Sequence, residues 1–416
     1  MSFIIESQSG GRARTRRFAA ITVVITVTLA IGGVLTLAGT ADAAARAGWA
    51  VGSPAVSPAW KIQSTPNPSG STGNALNGVS CSSATSCTAV GTYTNASGST
   101  ITLAEQWNGT TWTIHAGPAV TSLNGVSCTS ASGCTAVGGV LSTSGDVVTR
   151  AERWNGTSWT TQTTPNPSGA GYNQLNSVSC TSATACTAVG YYYNTSGIYF
   201  PLAERWNGTT WTIHTTPKPT GSTEPELEGV SCTSATACTA VGGYENSSGA
   251  YRTLAEQWNG TTWTTHATTN PGPESDYLYG ASCTSASACA AVGYQQLSSG
   301  RLVTLAERWN GTSWTTQTTP NPSGPDTNVF SGVSCATAST CTAVGYYDKS
   351  NAEPTAPFAE GWNGTSWTVQ TTPSPTGTDD SPLNSASCTA ASTCTAVGEY
   401  QDSSGTYLTL AERESG

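Results

Sequence analysis

The chain has 416 residues, of which 37% are hydrophobic and only 9% charged, with 45 Gly, 14 Trp, 14 Cys and a formal net charge of -9. Soluble domains usually carry about 25% charge, so polarity here comes from Ser, Thr, Asn and Gly, as on an extracellular surface. With three lysines (Lys61, Lys218, Lys349) and an acidic balance, the chain is not built to hold a nucleic-acid backbone.

Residues 1–43 read as an export signal. Arg12, Arg14, Arg16 and Arg17 form a cationic front, an apolar run follows from Phe18 to Leu37, and Ala41-Asp42-Ala43 offers small residues for cleavage. "TRRF" at Thr15–Phe18 resembles a twin-arginine signal, and the apolar run is nearly long enough to stay as an uncleaved anchor, so the export route and membrane attachment stay open. Loss of the segment leaves 11 basic and 22 acidic residues, a charge of -11. Residues 44–58 read as a short linker, and 59–416 as one domain.

That domain is a repeat. Cysteines fall in seven pairs of C-x5-C spacing, Cys81/Cys87, Cys128/Cys134, Cys180/Cys186, Cys232/Cys238, Cys283/Cys289, Cys335/Cys341 and Cys388/Cys394, whose first members are 47, 52, 52, 51, 52 and 53 residues apart. Each pair defines a unit, numbered 1 to 7, with four short alternating apolar segments bounded by Gly, Pro, Asn and Ser, the pattern of strands. In unit 1, strand A runs into Cys81 ("LNGVSC"), B leaves Cys87 ("CTAVGTY"), C is "TLAEQWN" and D is "TWTIHA". Asn108-Gly109 between C and D predicts a two-residue type I′ hairpin, with Trp107 opposite Thr110 and Glu105 opposite Trp112. On that register Leu103, Glu105, Trp107, Trp112 and Ile114 share one face, which needs a neighbouring unit to bury it.

Four-stranded antiparallel units of about 50 residues, packed face to face about an axis, make a β-propeller. The strand count sharpens this. Segments A, B and C occur seven times, the last C being "TLAER" from Thr409, after which no D follows; "AWKIQSTPNPSG" from Ala59 is a D with no A, B or C before it. If the Trp60 segment completes the unit of Cys388, seven four-stranded blades close a ring and neither terminus leaves an unpaired edge. The units resemble those of kelch and galactose-oxidase-type propellers, in which a strand-B diglycine precedes aromatics in strands C and D; Gly138-Gly139, Gly242-Gly243 and each "WNGTxW" carry the likeness. The resemblance implies architecture alone, since no copper-binding set of Tyr and His can be placed and most units have a single Gly. No cofactor is expected.

In an exported chain each C-x5-C pair is expected to bridge the mouth of its A–B hairpin, worth about 2 kcal/mol per bond by loop-entropy reasoning. Glu105, Glu152, Glu204, Glu256, Glu307, Glu360 and Glu412 recur in every strand C; distributed around a ring they cannot converge on one substrate, and each is expected to accept a hydrogen bond from a backbone or indole N–H. His115, His214 and His266 are expected to be solvated on the outermost strand. The six "NGT" triplets match the N-glycosylation pattern, but turn formation explains them.

In such a fold A–B and C–D turns share one side and B–C and D–A connections the other. The second side varies, and function usually sits on variable loops held by a rigid scaffold. Its candidates are Tyr191, Tyr192, Tyr193, Tyr199, Phe200, Tyr277 and Tyr279, which would stack on sugar rings or pack on protein, and Glu224, Glu226, Asp276, Asp326, Asp379 and Asp380, which would hold a cation or meet a basic partner. No Ser-His-Asp order, phosphate-cradling loop or HExxH appears. The reading is a monomeric, non-catalytic propeller that binds an extracellular glycan or protein; the alternatives are a polysaccharide hydrolase or lyase using two loop carboxyls, and a structural spacer.

Overall fold

The computed structural model describes residues 59–115, 117, 122–322, 324–348, 354–376 and 380–415. The expected signal and linker lie outside them. The described residues form 28 β-strands and no helix, so no helix among them is long and apolar enough to cross a membrane.

Unit 1 comprises strands A (Gly73–Ser83), B (Ser86–Thr94), C (Thr100–Trp107) and D (Trp112–Ile114), paired antiparallel in that order. Units 4, 5 and 6 repeat this as separate four-stranded sheets. In unit 7 strands A (Leu383–Ala390), B (Thr393–Gln401) and C (Tyr407–Ser415) are joined by Ala59–Gln63, which pairs antiparallel with C, Trp60 opposite Glu414 and Gln63 opposite Ala411. The two ends of the chain thus build one sheet, as the strand count requires. The fold is all-β and of the propeller type.

Two sets of contacts hold neighbouring units together. Apolar residues of one sheet face bury against the next unit: Leu103, Trp107 and Trp112 of unit 1 cluster with Val397 and Ala411 of unit 7, while Val90 and Ala104 on the opposite face join the cluster of unit 2. Nearer the inner strands, a serine of each strand A accepts the backbone N–H of a neighbouring cysteine. Cys128 N–H donates to Ser80, Cys180 to Ser127, Cys232 to Ser179, Cys283 to Ser231, Cys335 to Ser282, Cys388 to Ser334 and Cys81 to Ser387, each at 2.9 Å. The last of these links unit 7 back to unit 1.

All seven expected disulfides are formed between directly opposed A and B residues: Cys81–Cys87, Cys128–Cys134, Cys180–Cys186, Cys232–Cys238, Cys283–Cys289, Cys335–Cys341 and Cys388–Cys394. Each bridges the mouth of its A–B hairpin, and its setting is asymmetric. The strand-B partners Cys87, Cys134, Cys186, Cys238, Cys289, Cys341 and Cys394 are buried, and only the strand-A partners stay partly exposed. Register is the reason. Cys87 opposes Trp107, Cys134 opposes Trp154, Cys186 opposes Trp206, Cys289 opposes Trp309 and Cys341 opposes Trp362, so each sulfur stands on the face that the preceding unit covers. Threonine hydroxyls of the preceding unit lie against these sulfurs: Thr88 is 3.4 Å from Cys134 Sγ, Thr135 3.8 Å from Cys186 Sγ, Thr239 3.5 Å from Cys289 Sγ and Thr342 3.4 Å from Cys394 Sγ. Unit 5 has Ala290 in place of that threonine, and Cys341 Sγ instead meets Arg308 Nη1 at 3.7 Å. The bridges therefore belong to the packing between units as well as to their own hairpins.

Past each bridge, strand A bulges, between Leu76 and Gly78 in unit 1, and its carbonyl presses on strand B. This explains the glycine of every "AVG": a Cβ at Gly190 would sit 2.0 Å from the Gln174 carbonyl oxygen. Gly190→Ala is therefore expected to cost about 3 kcal/mol or more, read as a lowered melting temperature; an unchanged melt would contradict this packing.

Two expectations need correction. Trp107 lies opposite Trp112, not Thr110, with ring centroids 5.8 Å apart, so the C–D loop has four residues. Only Gly109 takes positive φ (98°); the Asn108 carboxamide oxygen accepts from the Thr110 and Thr111 N–H groups at 2.9 and 3.0 Å and from the Thr110 hydroxyl at 2.8 Å. A side chain thus closes the longer loop that lets two large indoles pair, and Ile114 beyond it is left 39% exposed.

The histidines stay partly exposed at the outermost strand, and each also packs on the next unit. His115, His214 and His266 lie edge-on to Trp154, Trp258 and Trp309 of the next unit, centroids 4.9, 5.0 and 5.0 Å apart.

The recurrent glutamates are fully buried, but not as indole acceptors. Glu152 takes Arg150 Nε at 2.5 Å, and Glu307 takes the Thr269 N–H at 3.3 Å; both carboxyl oxygens of Glu105, Glu204, Glu256, Glu360 and Glu412 lack a hydrogen-bond partner. Burial pushes Glu105, Glu204, Glu256 and Glu412 up to about 8 and Glu360 up to about 9. The hydroxyls of Thr409 and Thr149, near Glu105 and Glu204 without closing a bond, offset only part of this. These side chains are neutral acids at pH 7, which is how unpaired carboxyls tolerate the interior.

Candidate functional site

The repeat defines what is structural, and departures from it mark a site. On strand A, one residue before the Gly or Ser of the bulge, Asn77, Asn124, Asn176 and Asn384 each donate from Nδ2 to a leucine carbonyl of the next unit. In units 4, 5 and 6 the same position holds Glu228, Tyr279 and Ser331. Around Glu228 and Tyr279 lies a tyrosine–carboxyl cluster shared by units 3, 4 and 5.

Its tyrosine wall follows from the register of unit 3. Tyr172 opposes Tyr193, Gln174 opposes Tyr191, and Tyr193 opposes Tyr199, so these side chains stand on one face. Tyr172 and Tyr193 stack with centroids 5.0 Å apart and planes 6° from parallel; Tyr191 lies 5.7 Å from both Tyr172 and Tyr199. Tyr192, one residue out of phase, points the other way, stacks on Phe200 at 5.0 Å and packs into the cluster with Val137 and Ala151 of unit 2.

The carboxyls come from unit 4. Tyr277, on strand A of unit 5, places its hydroxyl 3.1 Å from Glu226 Oε2 and 3.1 Å from Glu228 Oε1. Room for its ring is made by Gly243, where a Cβ would come within 2.3 Å of Tyr277. Asn176 Nδ2 donates to Glu228 Oε2 at 3.0 Å, Gln174 Nε2 to Asn176 Oδ1 at 3.0 Å, and the Tyr172 hydroxyl to Gln174 Oε1. One phenolic proton cannot satisfy two carboxylates. Burial, reinforced by repulsion from Glu228, raises Glu226 above the usual range, and burial raises Glu228, held back by its donors Tyr277 and Asn176. The pair therefore holds a proton at neutral pH and offers a carboxylic acid beside a carboxylate. Both remain partly open to solvent.

Glu224 is the one non-glycine with positive φ (47°) among the described residues, and its carboxylate accepts the Tyr251 hydroxyl at 2.6 Å. Burial, first of all, raises Tyr172, Tyr191, Tyr251 and Tyr277, so each is a neutral phenol and a hydrogen-bond donor.

The remaining candidates are engaged elsewhere. Asp276 is fully buried, takes the Gly272 N–H at 3.0 and 3.1 Å, lies 3.9 Å from Arg252 Nη1, and is pushed up to about 6 by burial. Asp326 is half-exposed, 3.8 Å from Arg301 Nε. Asp380 accepts from the Thr355 N–H at 2.9 Å and hydroxyl at 3.1 Å, the same lock that Asn67 makes on Thr409 and Asn166 on Thr149. Asp379 lies outside the described residues. Among those residues no three His, Cys, Asp or Glu side chains are arranged to hold a metal ion.

Of the sequence candidates, the cluster brings together Tyr191, Tyr193, Tyr199, Glu224, Glu226 and Tyr277; Tyr172, Gln174, Asn176, Glu228 and Tyr251, which also belong to it, were not among them. Superposing the seven units on their first cysteines exposes Glu228 as the one acid at a position that holds Asn in four units, Tyr279 in unit 5 and Ser331 in unit 6.

No known family and no curated protein matches the chain. Among solved structures it is similar to YCF48 bound to a D1 peptide, at 12% identity over 88% of this chain and 99% of that one, with a TM-score of 0.49. It is also similar to a fucose-specific lectin from Aleuria aurantia (14% identity, 74% of this chain and 98% of that one, TM-score 0.42) and to the Hadza microbial sialidase Hz136 (11%, 82% and 65%, 0.45). The likeness is one of β-propeller fold alone.

Proposed function

We propose that the seven units close into a seven-bladed, kelch-like propeller, exported as a monomer, that binds an extracellular glycan or protein at the side carrying the B–C and D–A loops. The disulfides fit an oxidising compartment. The reading rests on one observation: where unit 4 replaces the Asn stitch with Glu228, the carboxyls of Glu224, Glu226 and Glu228 stand beside a tyrosine wall, Tyr172, Tyr191, Tyr193 and Tyr199, on the neighbouring unit 3. Tyrosine faces stack on apolar sugar faces or peptide side chains, while carboxyls and phenols supply directed hydrogen bonds.

The test is a glycan and cell-wall array probed with the chain lacking residues 1–43. Tyr193→Ala and Glu226→Gln are each expected to weaken the captured ligand about tenfold or more without lowering the melting temperature by more than a few degrees. Absence of any ligand, or equal binding by both variants, sinks the reading. A hydrolase is the second reading, favoured by the acid–carboxylate pair of Glu226 and Glu228. It predicts turnover of the bound polysaccharide that Glu226→Gln abolishes while binding persists.

A further inference from the structure

We propose that the crevice between units 4 and 5, on the side of the disulfides and C–D turns, is a seat for a guanidinium group. The inference is independent of the tyrosine–carboxyl cluster, which lies on the other side of the units.

The chain contains its own template. Opposite the residue after the second cysteine, strand C carries Arg153, Arg205, Arg308 and Arg413 in units 2, 3, 5 and 7, and each reaches across to the next unit. Their guanidiniums donate to the carbonyl three residues beyond that unit's first cysteine: Arg153 to Ala183 at 2.7 Å, Arg205 to Ala235, Arg308 to Ala338 at 2.5 Å and Arg413 to Ala84 at 2.7 Å. Arg205, Arg308 and Arg413 also lie over Trp258, Trp362 and Trp107 of the unit they reach, 4.4, 4.9 and 4.9 Å from the ring centroids.

In unit 4 the position holds Gln257, which is shorter, and its Nε2 is buried without a partner. A cavity of about 40 Å³ remains, lined among others by Gln257, Thr239, Cys238, Ser285 and Ala286. That is room for about three waters, or for the four heavy atoms of one planar guanidinium. Ala286 is the counterpart of Ala183, Ala235, Ala338 and Ala84.

Two features of the seat are occupied, and neither blocks it. The Ala286 carbonyl accepts Trp309 Nε1 at 3.2 Å, but Ala183 accepts both Trp206 Nε1 at 3.3 Å and the Arg153 guanidinium. His266 lies edge-on to Trp309, but Trp258 carries His214 and Arg205 together. With its amide turned over, Gln257 would present Oε1 to the incoming N–H groups. Trp309, the ring equivalent to Trp258, Trp362 and Trp107, does not line the cavity, so recognition rests on the forked N–H geometry: a flat, forked cation fits this seat, and a compact ammonium does not.

The test titrates the folded chain with agmatine, n-butylamine and the tripeptide Gly-Arg-Gly, following tryptophan fluorescence and heat. Saturable agmatine binding is expected, with butylamine about tenfold weaker or worse. A peptide that binds tighter than agmatine marks a protein arginine as the natural occupant; the reverse order marks a small guanidino compound. Gln257→Arg fills the seat from within, so it should weaken agmatine at least about tenfold and raise the melting temperature by about 2 °C. Gln257→Ala opens the seat and should keep agmatine within about threefold. The proposal is overturned if no guanidinium saturates the protein, if butylamine binds as well as agmatine, or if Gln257→Arg binds agmatine unchanged.

Discussion

Between pH 5 and pH 9 the melting temperature is expected to fall by about 10 °C or more, the reverse of a protein held together by carboxylate ion pairs. Burial alone pushes Glu256 and Glu412 up to about 8 and Glu360 to about 9; Glu105 and Glu204 reach about 8 and Glu307 about 7. An unfolded glutamate releases its proton near 4.5, so between that value and about 8 the native state binds more protons than the unfolded one. Stabilisation from these groups is complete below about pH 4.5 and is withdrawn as pH climbs through 8 to 9.

A shift of three units is about 4 kcal/mol per group. Six such groups would exceed the usual total stability of about 5–15 kcal/mol, so part of the cost must be relieved by local opening as they ionise. The histidines oppose this weakly. Burial lowers His115, His214 and His266, so their contribution is lost as pH falls through 6.5. They remain partly exposed and shift only the acidic edge of the optimum. Thermal melts of the wild type and of a Glu204→Gln, Glu256→Gln, Glu412→Gln triple variant provide the check. Glutamine keeps the shape and cannot ionise, so the triple variant should equal the wild type near pH 5 and exceed it at pH 8. A wild-type melt that is flat or rises with pH would refute neutral burial.

Much of this architecture was readable because it depends on spacing. Period-two alternation set the strands, the C-x5-C interval set the disulfides, and the orphan D segment at Trp60 set its pairing with the strand that ends the chain. Burial of the strand-B sulfurs was not readable from that interval, because it depends on which indole each cysteine faces across strands B and C. Loop chemistry was also less readable. Asn-Gly signals a two-residue hairpin, yet the Asn108 side chain closes a four-residue loop, a difference decided by two indoles that pair best opposite each other.

The site was legible where alternation holds and obscure where it fails. The same period that aims Tyr191 and Tyr193 together sends Tyr192 to the other face. The bulge on strand A breaks that period, which hid Glu228 behind Glu226. Acids in loops gave no sign of whether they meet ligand or backbone, and Asp276 and Asp380 meet backbone. The carboxyl ring was read as hydrogen-bonded because composition does not reveal which buried groups lack donors.

Deleting residues 1–63 is expected to be the most damaging change in the chain, costing about 5 kcal/mol or abolishing folding. Trp60 is 4% exposed and packs with Val344 and Ala359 of unit 6 and with Leu383 and Leu410 of unit 7. Its indole donates to Gln370 Oε1 at 3.0 Å, and Gln370 Nε2 donates to the buried Glu414 at 3.1 Å, where other units have a second tryptophan. Without the strand, that carboxyl and the edge of Tyr407–Ser415 lose their cover. Trp60→Ala in the full chain isolates the packing part and should cost about 3–5 kcal/mol.

Closure is tested most directly by native-state hydrogen exchange of the backbone amides in Ala59–Gln63 and Tyr407–Ser415. The ladder between them predicts that alternate amides in both segments are protected to the same degree as those of Trp211–His214, a terminal strand formed within a single unit. Exchange of Ala59–Gln63 at the rate of an unstructured peptide, with Trp211–His214 still protected, would contradict a ring closed by the two chain ends.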